Sequence, residues 1–215
     1  MSTAPPSPKT RVRRHAERAR YDEATVHAIL DDAYVAHVGT IVDGAPVVMP
    51  YACARVGDEL VLHGSTRAGI LSALANGAPV CATVTHVDGL VLARSAFHTS
   101  MNYRSVVLHG LARIVDDPPE KEAYLDAVVD RLLPGRRAQL RPSTAGELAA
   151  TQVVALRIDT ASAKVRSGDL TEPAEDRRPG VWGGVVPLEL VFGAPQPDAS
   201  TATGVAAPVL TRSRR

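Results

Sequence analysis

Two short segments of this 215-residue chain combine residue types that handle anions with types that pack against flat rings. The first is Leu62-His63-Gly64-Ser65-Thr66, running into Arg67, and the second is Ser100-Met101-Asn102-Tyr103-Arg104-Ser105. Hydroxyls, arginines and backbone N–H groups at the end of a β-rich run suit a phosphate. A histidine and an aromatic ring beside them suit a planar heterocycle. Together they suggest a phosphorylated aromatic cofactor, with flavin mononucleotide (FMN) the leading candidate.

Each residue also has a plainer reading. Ser65 and Thr66 can cap a following helix, or their hydroxyls and N–H groups, with Arg67, can hold an anion. Arg104 and Ser105 can grip a phosphate, or Arg104 can pair with a carboxylate at a strand edge. His63 is either structural or a donor and proton carrier near a cofactor. Met49-Pro50-Tyr51 falls within a strand, where a proline costs a ladder bond unless the strand lines a groove or an edge. Trp182, the one tryptophan, lies in Trp182-Gly183-Gly184-Val185-Val186-Pro187-Leu188. Its glycines and proline argue against regular structure. It reads as an anchor for the C-terminal segment, or as a cover over a cofactor.

Composition narrows the classes. Lys and Arg total 24 against 23 Asp and Glu, which is no footprint for nucleic acid. No apolar run approaches the ~20 residues that span a bilayer, and no secretory h-region follows the basic N-terminus. Cys53 and Cys81 sit in apolar runs and read as buried free thiols. His27, His37, His86, His98 and His109 show no His–His spacing suited to a metal, so no metal site is expected. A cytoplasmic protein with no nucleic-acid or membrane partner is expected.

The elements that position these residues are mainly β. A helix is expected over 22–33, capped by Asp22, with Val26, Ile29 and Leu30 on one face. Strands over 34–42, 47–56 and 59–63 are joined by turns at Asp43-Gly44 and Gly57-Asp58. A helix over 67–76 follows, then a strand over 79–87 that turns at Asp88-Gly89 into 90–94. A β run over 104–115, a helix over 120–133 and strands over 152–158 and 163–166 complete the body. Residues 1–20 read as a flexible basic arm, 21–193 as the domain, and 194–215 as a disordered tail poor in large apolar groups. Antiparallel strands, six or more, with short helices point to a closed or nearly closed barrel. No glycine-rich strand-to-helix turn supports a Rossmann fold.

In their order, His63-Gly64-Ser65, Pro79-Val80-Cys81, Asp88-Gly89-Leu90-Val91, Ser95-Ala96-Phe97-His98, the Asn102-Tyr103-Arg104-Ser105-Val106 block and Trp182 to Leu188 resemble the pyridoxamine 5'-phosphate oxidase-like proteins. The resembling branch is the flavin-nucleotide-binding one related to 5-nitroimidazole-resistance reductases. The resemblance spans roughly 21–188. It implies an FMN-binding split β-barrel working as a homodimer, with the cofactor in a groove at the subunit interface. It further implies phosphate contacts from residues 65–69 and from Arg104 and Ser105. The flavin ring would run along Val48, Met49, Pro50 and Tyr51, with His63 close to it. The Arg-Lys pair of true pyridoxamine phosphate oxidases is missing, since the chain reads Arg67-Ala68-Gly69-Ile70, so oxidation of pyridoxamine phosphate itself is not expected. The expected function is an FMN-dependent oxidoreductase of flavin-reductase or nitroreductase type. NAD(P)H is the candidate donor and a small molecule the acceptor. His63 would tune the ring, and Tyr103 and Trp182 would pack near it. The alternative is a non-catalytic carrier or sensor for flavin, deazaflavin or haem.

Overall fold

Asp43 and Gly44 both adopt positive φ, 50° and 78°, the backbone of a two-residue hairpin whose twist matches its strands. This turn joins β2 (Val35–Val42) to β3 (Ala45–Val56), and Gly57-Asp58 joins β3 to β4 (Glu59–Ser65). In this computed structural model, which describes Pro5 and residues 7–209, β1 (Ala19–Arg20) and α1 (Glu23–Asp31) come before them. After them come α2 (Gly69–Ala75), β5 (Pro79–Leu92), β6 (Ser100–Ile114), α3 (Pro118–Leu132), α4 (Ala145–Ala150), β7 (Thr151–Arg157), β8 (Ala161–Arg166) and β9 (Gly184–Pro187).

The pairings are antiparallel, and six strands close a ring in the order β6-β7-β4-β3-β2-β5, with β5 returning to β6. β8 and β1 extend the sheet from β6, and β9 extends it from β5. The fold is thus mainly β with short helices, a split β-barrel. Strand alternation points Val38, Leu62, Val84, Val106 and Leu156 inward, where Leu30 of α1 and Leu71 and Leu74 of α2 meet them in one core. Burying each such side chain contributes roughly 1.5–3 kcal/mol. A second core forms where Val128 of α3 covers the outward-facing Val61 and Val153.

Asp22 caps α1 as expected, accepting the Thr25 N–H at 2.9 Å. Other local expectations give way to tertiary pairing. Asp88-Gly89 is a β-bulge, not a turn: β5 runs straight through and stays paired to β6 on both sides. Gly184–Pro187 is a strand after all, seated on residues 89–92 of β5. Cys53 is buried, but Cys81 faces outward from β5 and is exposed. Within the basic arm, Ala19 and Arg20 pair with β8 and Thr10 is buried. Residues 194–209 carry no helix or strand and are exposed. Residues 1–4, 6 and 210–215 of the expected arm and tail lie outside the described residues. Among the described residues no helix is long and apolar enough to cross a membrane.

Candidate functional site

β3 and β4 pair only from Val56↔Glu59 as far as Cys53↔Leu62. Beyond that point β3 continues along β2 to Ala45↔Val42, while β4 continues along β7 to Ser65↔Thr151. The two strands part, and a gap opens in the barrel wall between residues 45–52 and residues 63–65. Pro50 suits this gap. The Cys53 N–H donates to the Tyr34 carbonyl on the β2 side at 3.2 Å. By alternation the Pro50 nitrogen, an odd number of residues away, faces the gap. Its missing N–H there costs no ladder bond and offers β4 no donor.

Both predicted walls therefore flank one opening. On the inner face Val47 and Tyr51 pack on the core, and Met49 between them is 47% exposed, with no strand over it. Val48 and Pro50 are exposed on the outer face. From the other wall, Gly64 lets β4 pass close to the core. A Cβ there would stand 2.8 Å from Leu71 Cδ1 and 3.5 Å from Tyr51 Cε1. The Tyr51 ring thus reaches across the gap to β4, and burial raises its phenol pKa.

His63 alternates with Val61 to the outer side, next to the core under α3. Its Nδ1 is buried and has no hydrogen-bond partner. Burial pushes the imidazole below its ordinary 6.5, because desolvation disfavours the cation. At neutral pH it is therefore a neutral ring, able to offer a lone pair or a single N–H.

The anion segment is built differently from expectation. α2 has only seven residues, starts at Gly69 and has Ala68 at its cap position with no capping side chain. Ser65 and Thr66 lie before it and do not cap it. Instead the Ser65 Oγ accepts the Arg67 N–H at 3.2 Å, and the Thr66 N–H donates to the Ala150 carbonyl at 3.1 Å. The Arg67 side chain is exposed and makes no ion pair among the described residues.

The second segment is not brought to this gap within one chain. β6 stands three strands from β3 in the ring. Arg104 is held by two carboxylates: Nε donates to Asp88 Oδ2 at 3.0 Å, Nη2 to Asp88 Oδ1 at 3.0 Å and Nη1 to Asp32 Oδ2 at 2.7 Å. The Asp88 and Asp32 hydrogen bonds keep the guanidinium firmly charged. In this chain Arg104 thus takes the carboxylate-paired arrangement, and a phosphate placed there would meet the two like charges of Asp88 and Asp32. Ser105 Oγ donates to the Lys164 carbonyl at 3.4 Å, and half-buried Tyr103 lies between Val87 and Arg166.

Trp182 is 62% exposed, its ring folded against Gly184 of its own segment. The anchor of that segment is another pair, invisible to local sequence. Arg94 Nε donates to the Val181 carbonyl at 2.8 Å, while buried Glu172 accepts the Arg94 N–H at 2.9 Å and an ion pair from its guanidinium.

The outer face continues from Val48 into an open groove of about 840 Å³, lined among others by Gly39, Ile41, Cys81, His109 and Leu111. Ile41, Val48 and Leu111 are 53%, 64% and 62% exposed. Together they form an exposed apolar face along this groove.

A barrel opened between two strands defines a split-barrel protein. The profile of the pyridoxamine 5'-phosphate oxidase family matches residues 22–165, and the chain belongs to that family. Among solved structures it is similar to the flavocytochrome Anf3 from Azotobacter vinelandii, at 41% identity and a TM-score of 0.88 over 95% of each chain. It is also similar to an FAD and haem binding protein from Mycobacterium smegmatis, at 44% identity and a TM-score of 0.84, covering 89% of this chain and 94% of that one. A putative 5-nitroimidazole antibiotic resistance protein from Bacteroides thetaiotaomicron shares the fold at 22% identity and a TM-score of 0.58, over 68% of this chain and 86% of that one. No functionally curated protein matches.

Proposed function

We propose that this protein binds a flavin and a haem and acts as a cytoplasmic redox protein, passing electrons to a small-molecule acceptor. The observation that carries the reading is the buried, unpartnered His63 Nδ1 beside the opening between β3 and β4. It is supported by high identity, over nearly the whole chain, to a flavocytochrome and to an FAD and haem binding protein. The expectation of FMN alone thereby widens to a flavin, FAD or FMN, with haem as a second group.

The residues present fit such groups. Met49, Tyr51, Val48 and Pro50 offer an apolar wall to a flat ring. Neutral His63 can ligate an iron or hydrogen-bond a flavin ring. Exposed Arg67, with the Ser65 and Thr66 hydroxyls, would meet an anionic tail, whereas Arg104 is already paired with Asp32 and Asp88. When bound, the groups supply hydride and one-electron chemistry, and the chain supplies position, dielectric and hydrogen bonds. The apolar outer face would join a second copy, enclosing the opening and excluding water in a homodimer. Trp182 and Tyr103 would approach the cofactor only in that assembly.

Reconstitution tests this. Cofactor-free protein titrated with haemin, FAD or FMN should take up haemin with a sharpened Soret band and quench flavin fluorescence. Protein that responds to none of the three contradicts the proposal. Flavin uptake without any haem response would favour the flavin-only oxidoreductase.

A further inference from the structure

Away from the opening, a second set of donors converges at the N-terminal end of α1. Glu23 and His27 stand one helical turn apart on that helix, and Asp58 lies in the turn between β3 and β4. His27 Nδ1 is 3.7 Å from Glu23 Oε1, and Nε2 is 3.8 Å from Asp58 Oδ1. Both distances are too long for hydrogen bonds. The imidazole side chain is only 15% exposed, yet it meets carboxylates without bonding them.

The spacing suits a shared ion better than direct contact. One donor atom from each of the three residues lies within 4.8 Å of the others. Ligands bound at about 2.0–2.2 Å to a tetrahedral zinc stand about 3.4 Å apart. Glu23 lies on the Nδ1 side of the ring and Asp58 on the Nε2 side, so an ion on one nitrogen draws the other carboxylate to it, which the 79% and 70% exposure of these side chains permits. The backbone beneath them is held: the Asp58 carbonyl accepts the Ile158 N–H at 2.9 Å, and Asp22 caps the first turn of α1. The same three side chains line a cavity of about 260 Å³ with Tyr21, Arg157 and Asp159. This leaves room for water as a further ligand. Of the neighbouring cations, Arg157 pairs with Asp159 at 3.1 Å, and Arg55, which feels the charges of Asp58 and Glu23, is bonded to Asp31 at 2.8 Å.

We propose that Glu23, His27 and Asp58 bind a divalent transition-metal ion, Zn²⁺ fitting best, at the mouth of this cavity. One imidazole with two carboxylates favours zinc-like ions over Mg²⁺ or Ca²⁺, which take oxygen ligands throughout. The ion ties α1, whose Val26, Ile29 and Leu30 plug the barrel, to the turn between β3 and β4. The site does not depend on the flavin and haem reading.

Tag-free protein stripped with EDTA, then titrated calorimetrically with Zn²⁺, tests it. One ion should bind per chain and raise the melting temperature. Co²⁺ in its place should give the visible bands of a four-coordinate N/O site. Asp58→Asn and Glu23→Gln, both at exposed positions, should each weaken binding about tenfold or more, and His27→Asn should abolish it. Cofactor uptake by these variants should not change, which separates this site from His63. No Zn²⁺ uptake by the unaltered protein overturns the proposal. So does unchanged stoichiometry and affinity in Asp58→Asn and Glu23→Gln, even should His27→Asn fail to fold.

Discussion

The ring of Tyr51 on β3 stands against the backbone of Gly64 on β4, bridging two strands whose hydrogen bonding has already ended at Cys53↔Leu62. The absence of a side chain at Gly64 is what lets tyrosine and strand approach. Gly64→Ala should therefore push the buried Leu71 methyl, from which its Cβ would stand only 2.8 Å. A cost of about 1–3 kcal/mol is expected, read as a lower midpoint in urea with an unchanged slope. A neutral result would mean that the opening is more pliant than the packing around Leu71 implies.

Arg67 and Arg104 should separate cleanly. Arg67→Ala should weaken flavin binding about tenfold or more, the scale of one lost charge-assisted contact, and leave stability within about 0.5 kcal/mol. Arg104→Ala should do the reverse. Asp88 and Asp32 would lose their shared cation, and a partly exposed pair of this kind is worth about 1 kcal/mol. Flavin titration and chemical denaturation of both variants check this. Loss of affinity in Arg104→Ala with full stability would restore that residue to the anion site.

Much of the frame is legible in the sequence because its determinants are local. Asp43-Gly44 can scarcely be anything but a hairpin, and Asp22 with Val26, Ile29 and Leu30 announces α1. The failures share one cause, pairing with distant chain. Asp88-Gly89 looks like a turn until β6 lies alongside it, and Gly184–Pro187 looks irregular until the edge of β5 is present. Arg104 meets Asp88 and Asp32, 16 and 72 residues away in sequence, so its partners could not be read from its neighbours. That residues 48–51 and 63–65 flank one opening is legible because both lie in consecutive, hairpin-linked strands.

His63 gives the cofactor-free protein a pH signature. Its folded pKa lies below the ordinary 6.5, so the unfolded chain binds more protons between those two values. Stability should fall as pH drops through about 6.5 and level off below the folded value. His63→Gln removes the titration, so its stability should change less between pH 7.5 and 5.5 than that of the unaltered protein. Parallel denaturation curves at the two pH values decide it. An equal loss in both proteins would place the sensitivity elsewhere.

The apolar outer face predicts self-association. Ile41→Asp and Val48→Asp, at positions 53% and 64% exposed, should leave the single chain folded but convert a dimer to a monomer in sedimentation velocity, with weaker cofactor retention. A monomeric unaltered protein that still retains its cofactor would remove the interface from the account.

The most direct test is the visible spectrum and mass analysis of whatever molecule the protein releases on denaturation after expression without additives, beside the same measurement on His63→Ala. Flavin and haem should both be found, with the haem band lost or shifted in the variant and the fold intact. Neither molecule in the unaltered protein, or a spectrum indifferent to His63, would contradict the account.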